Sequence, residues 1–205
     1  MLLEYERWDC LAEREKDQRV VELQNKGHTV YSISRLNSFN QCEYGYYRTY
    51  ILGDRGENNC YGIAGTRIHD NLEDIHNGKI TEDDMKNDFE NMLIEFELNN
   101  ITFPTSKIGE NWAKDIGHFV NNFKKIDKKM LTEVFVLYEI APDIWIRGYI
   151  DAVIPDDNGK DLILLDWKTS SEFKGKKLTE AGRQLLLYKD AIEAQTNKKV
   201  SGICW

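Results

Sequence analysis

Apolar residues recur at two periods along this chain, and the change from one period to the other marks its elements. Between Ile144 and Thr169 they alternate: Ile144, Ile146, Gly148, Ile150 and Ala152 share one parity, Asp157-Asn158-Gly159-Lys160 breaks the run, and Leu162-Ile163-Leu164-Leu165-Asp166-Trp167-Lys168 follows. This predicts a β-hairpin. Leu131 to Ile140 predicts a strand before it, and a last strand begins near Lys199. Helical spacing governs the rest. Thr81 to Asn99 opens with a cap, Thr81 and Asp84, and puts Met85, Phe89, Met92 and Phe96 on one face. Asn111 to Asp127 does the same with Trp112, Ile116, Phe119 and Phe123, and Ile68, Leu72 and Ile75 mark an earlier helix. Leu178 to Gln195 reads as a helix before the last strand. The order expected is αβββαβ with additional helices, in a single domain over residues 31–205. Residues 1–30 read as a helical arm: Leu2, Leu3, Tyr5, Trp8 and Leu11 line a short amphipathic stretch, whereas Glu13 to Arg19 is almost wholly polar. Such an arm either packs on the domain or a partner, or is a solvated helix.

The hairpin carries the chemistry. A two-residue type I′ turn at Asn158-Gly159 pairs Asp157 with Lys160, and counting back pairs Val153 with Leu164 and Asp151 with Asp166. Side chains alternate faces, so Asp151, Asp166 and Lys168 share one. Carboxylates directly opposite on antiparallel strands lie roughly 5 Å apart at Cβ and repel. A divalent cation, a shared proton or a salt bridge to Lys168 would relieve this, and so would service as a plain structural ion pair. Hard cations such as Mg²⁺ or Mn²⁺ take one or two carboxylates together with substrate phosphate. A literal Pro142-Asp143 also precedes this segment, but on the same register Asp143 falls opposite position 174, well past Lys168, so Asp151 is preferred.

Composition narrows the classes. The 205 residues suffice for one sizeable core, and a formal charge of −8 argues against a general nucleic-acid binder, which is normally basic over its footprint. Local basic clusters remain at Lys124-Lys125 with Lys128-Lys129, and at Lys174 with Lys176-Lys177. Any binding of a polyanion by so acidic a chain is expected to be weak, salt-sensitive and metal-assisted, or to need delivery by a partner. Cys10, Cys42, Cys60 and Cys204 lack Cys-x-x-Cys spacing, which argues against zinc, and a cytoplasmic setting argues against disulfides. No apolar run approaches the length of a membrane span, and no signal peptide is visible. The chain stops at Trp205 inside a strand pattern, which leaves open a further C-terminal segment.

Four separated segments together resemble the RecB-like branch of the PD-(D/E)XK nucleases, which includes the CRISPR adaptation nucleases. They are Ser34-Arg35-Leu36 running to Phe39, Cys42, Tyr46 and Tyr47; Gly65-Thr66-Arg67-Ile68-His69-Asp70-Asn71-Leu72-Glu73; Gly148-Tyr149-Ile150-Asp151 followed by Asp166-Trp167-Lys168-Thr169; and Gln184-Leu185-Leu186-Leu187-Tyr188. The order and spacing match the family, with Ile150 in place of the family's proline.

The resemblance implies a restriction-endonuclease-like α/β (α+β) fold with a mixed central sheet. It implies a metal-dependent deoxyribonuclease, of exonuclease type, whose ion is held by His69, Asp151, Asp166 and the Trp167 carbonyl. Lys168 would hold the attacking water, and Gln184 and Tyr188, four apart on one helix face, would border the site. From its own surroundings His69 reads more readily as a satisfied core histidine beside Ile68 and Leu72, and only the resemblance favours a ligand; Gln184 with Tyr188 also reads as an exposed amide beside a half-buried ring. Glu73 and Glu133 stay outside the core assignment. Some relatives carry an iron-sulfur cluster on one early and three late cysteines; here Cys42 fits the first place but only Cys204 lies late, which argues against a cluster. A helicase or recombination factor, in a bacterial or phage-infected cell, is the partner implied. Two other readings stand beside this one: a catalytically silent nuclease-derived scaffold, and a nuclease acting on RNA or modified nucleic acid.

Overall fold

A computed structural model describes residues 18–54, 59–169 and 175–205. They fall into two compact units, one made of residues 18–54, 129–166 and 175–205, the other of residues 59–128 and 167–169. The proposed helix of Leu2 to Leu11 lies outside the described residues.

The first unit is built on a mixed five-stranded sheet. Helix α1 (Gln18–Asn25) leads into β1 (Thr29–Ser32), followed by α2 (Ile33–Gln41), α3 (Glu43–Tyr46) and a π-helical turn at Tyr47–Ile51. Strands β2 (Leu131–Ala141), β3 (Ile144–Pro155) and β4 (Leu162–Leu165), helix α7 (Lys176–Thr196) and strand β5 (Val200–Cys204) complete it. The run β2-β3-β4-α7-β5 reproduces the expected order, and β1 adds a strand.

Strand β3 organises the sheet. It pairs along almost its whole length with β2, antiparallel, from Leu131 opposite Val153 to Ala141 opposite Ile144. Its other edge is shared: β1 runs parallel to it over Ile144 to Arg147, and β4 antiparallel over Ala152 to Pro155. Between these two partners Gly148, Tyr149, Ile150 and Asp151 pair with neither strand. Strand β5 lies parallel to β4, joined through α7. Helix α7 lays Leu185, Tyr188, Ala191 and Ile192 on Val134, Val136, Ile146, Ile150 and Leu164. Burying apolar side chains of this size is worth about 1.5–3 kcal/mol each. Val20, Val30 and Phe135 form a smaller core with Leu23, Trp145 and Tyr149.

The register of the hairpin is the expected one, with Ala152 opposite Leu165 and Val153 opposite Leu164. The turn differs. Asp156 N–H donates to the Asp161 carbonyl, Gly159 N–H donates to the Asp156 carbonyl, and the Asp156 Oδ1 atom accepts from Lys160 N–H. Gly159 has φ +68°, but Asn158 is not in the left-handed region, so a type I′ turn is excluded. Residues 157–160 form a four-residue loop closed on the Asp156 side chain. The ladder of β4 also ends at Leu165, so Asp166-Trp167-Lys168 follow the strand rather than extend it.

The second unit holds α4 (Cys60–His76), α5 (Glu82–Leu98) and α6 (Ser106–Asn122) around Ile68, Leu72, Met85, Phe89, Met92, Phe96 and Val120. Helix α5 carries the expected capping box, with Thr81 and Asp84 bonded reciprocally. Helix α6 starts and ends earlier than expected. Thr105 Oγ1 accepts from Ile108 N–H and caps its start, and Phe123 in extended conformation stops it. Phe119 is consequently 41% exposed and Val120 is the buried residue.

Candidate active site

In the sheet unit acidic residues gather where the edge of β3 away from β2 passes from β1 to β4. Asp166 sits one residue past β4, its N–H donating to the Cys204 carbonyl at 3.0 Å. Its side chain is buried, at 5% exposure. Asp166 follows the last pair of the β3–β4 ladder, Ala152 with Leu165, and the half-buried Asp151 precedes that pair on β3. On the other side of β3, Thr132 pairs with Ala152 and Val134 with Ile150, so Glu133 falls opposite Asp151. Glu133 has φ +49°, a left-handed kink in an otherwise regular strand. Glu133 and Asp151 therefore stand at matching positions of β2 and β3, and Asp166 lies just past the end of β4. Sequence pattern left Glu133 aside, because only the pairing of β2 shows what it faces.

A carboxylate at this depth is costly unless compensated, and neighbouring like charges add to the cost. Carboxylate oxygens are donors of the kind a hard divalent cation takes.

Helix α7 brings Gln184 and Tyr188 to the same unit. Gln184 Nε2 donates to the Tyr188 hydroxyl at 3.4 Å, and Tyr188 is buried, at 5% exposure, deeper than a half-buried surface ring. Its ring lies on Gly148 of β3. A Cβ added at Gly148 would come within 2.4 Å of two ring carbons and closer still to the hydroxyl.

The remaining candidates belong to the helical unit. His69 is half-buried on α4 beside Ile68 and Leu72. Trp167 packs in this unit's core, edge-on to His69 at 6.2 Å and stacked on His76 at 5.7 Å with 22° between the rings. The His76 ring lies with Nδ1 2.7 Å from the Leu72 carbonyl, while Nε2 accepts from Ile126 N–H at 3.4 Å. Those contacts assign the proton to Nδ1. Lys168 is exposed. Next to it, Thr169 Oγ1 stands 3.2 Å from where a Cβ on Gly65 would be. The glycine of Gly65-Thr66 thus admits the segment that follows Asp166. Gly65 of the α4 segment and Thr169 of the segment after Asp166 meet in this unit.

Arg67, two residues from His69, is engaged on α5. It makes a two-pronged contact with Asp88 at 2.8 and 2.7 Å and reaches Glu95 at 2.5 Å, while Asn71 also donates to Asp88 at 2.7 Å. Hydrogen bonding to Asp88 and then Glu95 makes its guanidinium more basic than usual. The Arg67 hydrogen bond in turn holds the Asp88 carboxyl below its ordinary value. Arg67 is an α4–α5 clasp rather than a phosphate ligand. Its pattern in sequence is indistinguishable from a surface cation.

Of the basic clusters, Lys125 lends its N–H to Glu82 at 3.2 Å, which lowers the Glu82 pKa. Lys174 and the side chains of Lys176 and Lys177 lie outside the described residues. Among the described residues no helix is long and apolar enough to cross a membrane.

The family model of the PD-(D/E)XK nuclease superfamily matches residues 30–203. A comparison with curated proteins finds no match. Members of this superfamily are usually metal-dependent nucleases, hydrolases that use divalent ions on nucleic acid. The mixed sheet with its flanking helices agrees with the restriction-endonuclease-like fold. The match covers nearly the whole chain, and on that ground the chain belongs to the PD-(D/E)XK nuclease superfamily.

Proposed function

We propose that this chain is a RecB-like deoxyribonuclease, of exonuclease type, that hydrolyses phosphodiester bonds with Mg²⁺ or Mn²⁺. The observation that supports the reading is Asp166, a carboxylate buried one residue past β4, where the hairpin ladder closed by Ala152 and Leu165 ends. Asp151 and Asp166 would hold the ion, joined by His69 and the Trp167 carbonyl. When bound, a divalent cation supplies charge against the scissile phosphate and acidity to a water.

The chain's own groups do the rest. Lys168 Nζ, a compact charge with three movable donors, orients the attacking water and offsets charge growing on the phosphate. Trp167, held in the helical core, limits where Lys168 can go. The Gln184 amide donates toward the phosphate, and Tyr188, being buried, orients that amide rather than reaching DNA itself. Because such groups read phosphate and not base, the choice of DNA over RNA comes from the cleft walls. A helicase or recombination factor docking on the N-terminal arm would deliver the substrate to an acidic protein.

Linear, circular and single-stranded DNA, with RNA alongside, should be incubated with Mn²⁺, Mg²⁺ or EDTA. The parent should cut DNA with either ion and not with EDTA, and linear DNA should be consumed where circular DNA resists. Asp166→Asn and Lys168→Ala should each abolish cutting. Undiminished cleavage by both variants would remove the mechanism.

A further inference from the structure

We propose that His28, Glu139 and Asp143 form a second divalent-cation site, at the opposite end of β3 from Asp151 and Asp166. It would take a first-row transition ion such as Zn²⁺ or Co²⁺. The inference does not depend on the nuclease reading.

The three residues come from different segments. His28 precedes β1, Glu139 lies near the end of β2, where the register slips between Glu139 and Ala141, and Asp143 occupies the tight turn into β3. Backbone contacts lock them together: Thr29 N–H donates to the Asp143 carbonyl at 2.9 Å, and Asp143 N–H donates to Glu139 Oε1 at 3.1 Å. One ligand atom from each residue lies within 4.8 Å of the other two.

The decisive detail is the imidazole. Its Nδ1 atom is buried and stands 2.9 Å from Asp143 Oδ1, yet it makes no hydrogen bond. The oxygen is close enough but off the line a shared proton requires. Two ligands on one ion produce that relation. With bonds of about 2.1 Å at the right angles of an octahedral ion, nitrogen and oxygen sit roughly 3 Å apart, with the oxygen about 45° off the ring nitrogen's axis, whereas a tetrahedral angle would widen the separation to about 3.4 Å. A plain histidine–aspartate ion pair would instead point its N–H at the carboxylate.

The donor set selects the ion. One imidazole and two carboxylates favour zinc and its first-row neighbours over Mg²⁺ or Ca²⁺, which prefer oxygen alone. The carboxylates are exposed, so water can fill the remaining positions. Bound there, the ion would tie the loop before β1 to the β2–β3 turn and hold β1 against β3.

Calorimetric titration with Zn²⁺, and with Co²⁺ followed by visible absorption, should be run on the full chain carrying Asp151→Asn and Asp166→Asn, so that the sheet carboxylates do not contribute. One equivalent should bind, and the thermal midpoint should rise with Zn²⁺ but not with equal Mg²⁺. Adding His28→Gln or Asp143→Asn should weaken binding by at least roughly tenfold and erase the shift. In the otherwise unaltered chain, His28→Gln should lower zinc stoichiometry by one and leave Mg²⁺-dependent DNA cleavage as it was. No bound equivalent in the first variant, or binding that ignores both substitutions in either background, would overturn the site. Cleavage of DNA bears only on the nuclease reading.

Discussion

Tyr188 occupies the space that a side chain on Gly148 would need: a Cβ there would meet ring carbons of Tyr188 at 2.4 Å. The glycine of the Gly148-Tyr149-Ile150-Asp151 segment is thus a packing requirement of α7 on β3, not a turn.

Gly148→Ala should therefore destabilise the chain by about 1–3 kcal/mol, the usual cost of overpacking a buried contact. In a Tyr188→Leu background the same change should cost less. Urea denaturation of the four proteins in this cycle measures the coupling, and additive losses would mean that the ring moves aside without penalty.

Asp166→Asn should keep the fold in EDTA, because the amide retains the size of the carboxylate and much of its hydrogen-bonding capacity. Added Mn²⁺ should raise the thermal midpoint of the parent and not that of the variant. A variant that melts lower in EDTA would identify Asp166 as a structural ion-pair partner instead.

The Arg67 clasp gives a stability term with a defined pH dependence. Arg67→Ala should cost about 1–2 kcal/mol near neutral pH, allowing for partial exposure of the pair. Arg67 holds the folded-state pKa of Asp88 below its ordinary value, so this stabilisation is present above the usual carboxylate range and is lost as pH falls through the depressed value. The gap between parent and variant should narrow below about pH 4.

Glu193 ties α7 to β5. Its Oε1 atom accepts from Val200 N–H at 2.8 Å, and Lys189 contacts Oε2 at 2.9 Å. These contacts, the backbone bond first, lower its pKa. Glu193→Ala should lower the protection factor of the Val200 amide, its intrinsic exchange rate over the observed rate at the same pH, and acid should lower that factor in the parent. Glu193→Gln should recover part of the protection through its amide oxygen.

Trp167→Ala should reduce cleavage as strongly as a loss of Lys168, because the ring is what seats this segment in the helical core. It should also lower the thermal midpoint, whereas Lys168→Ala, at an exposed position, should not. Parallel melting and cleavage curves separate the two effects.

Much of the pairing was readable before any coordinates. The hairpin register survived an incorrect turn, because a four-residue loop over 157–160 adds one residue on each side of Asn158-Gly159 and keeps every pair the same. The capping box at Thr81 was readable as well, since both partners lie within one turn. The start of α6 was misplaced because its cap, Thr105, precedes a stretch with weak apolar periodicity, Ser106 to Glu110.

Local chemistry alone determined the alternation of β3, the caps, the apolar helix faces and the hairpin register from Ala152 with Leu165 to Pro155 with Leu162, since each depends on neighbours in the chain or on one turn. Tertiary structure decided what distant segments share. It set Glu133 across from Asp151, committed Arg67 to α5, laid Tyr188 on Gly148 and gathered His28 with Glu139 and Asp143. A side chain's role in these cases follows from what stands within a few ångströms of it, and periodicity along one strand or helix carries no information about which other element arrives there.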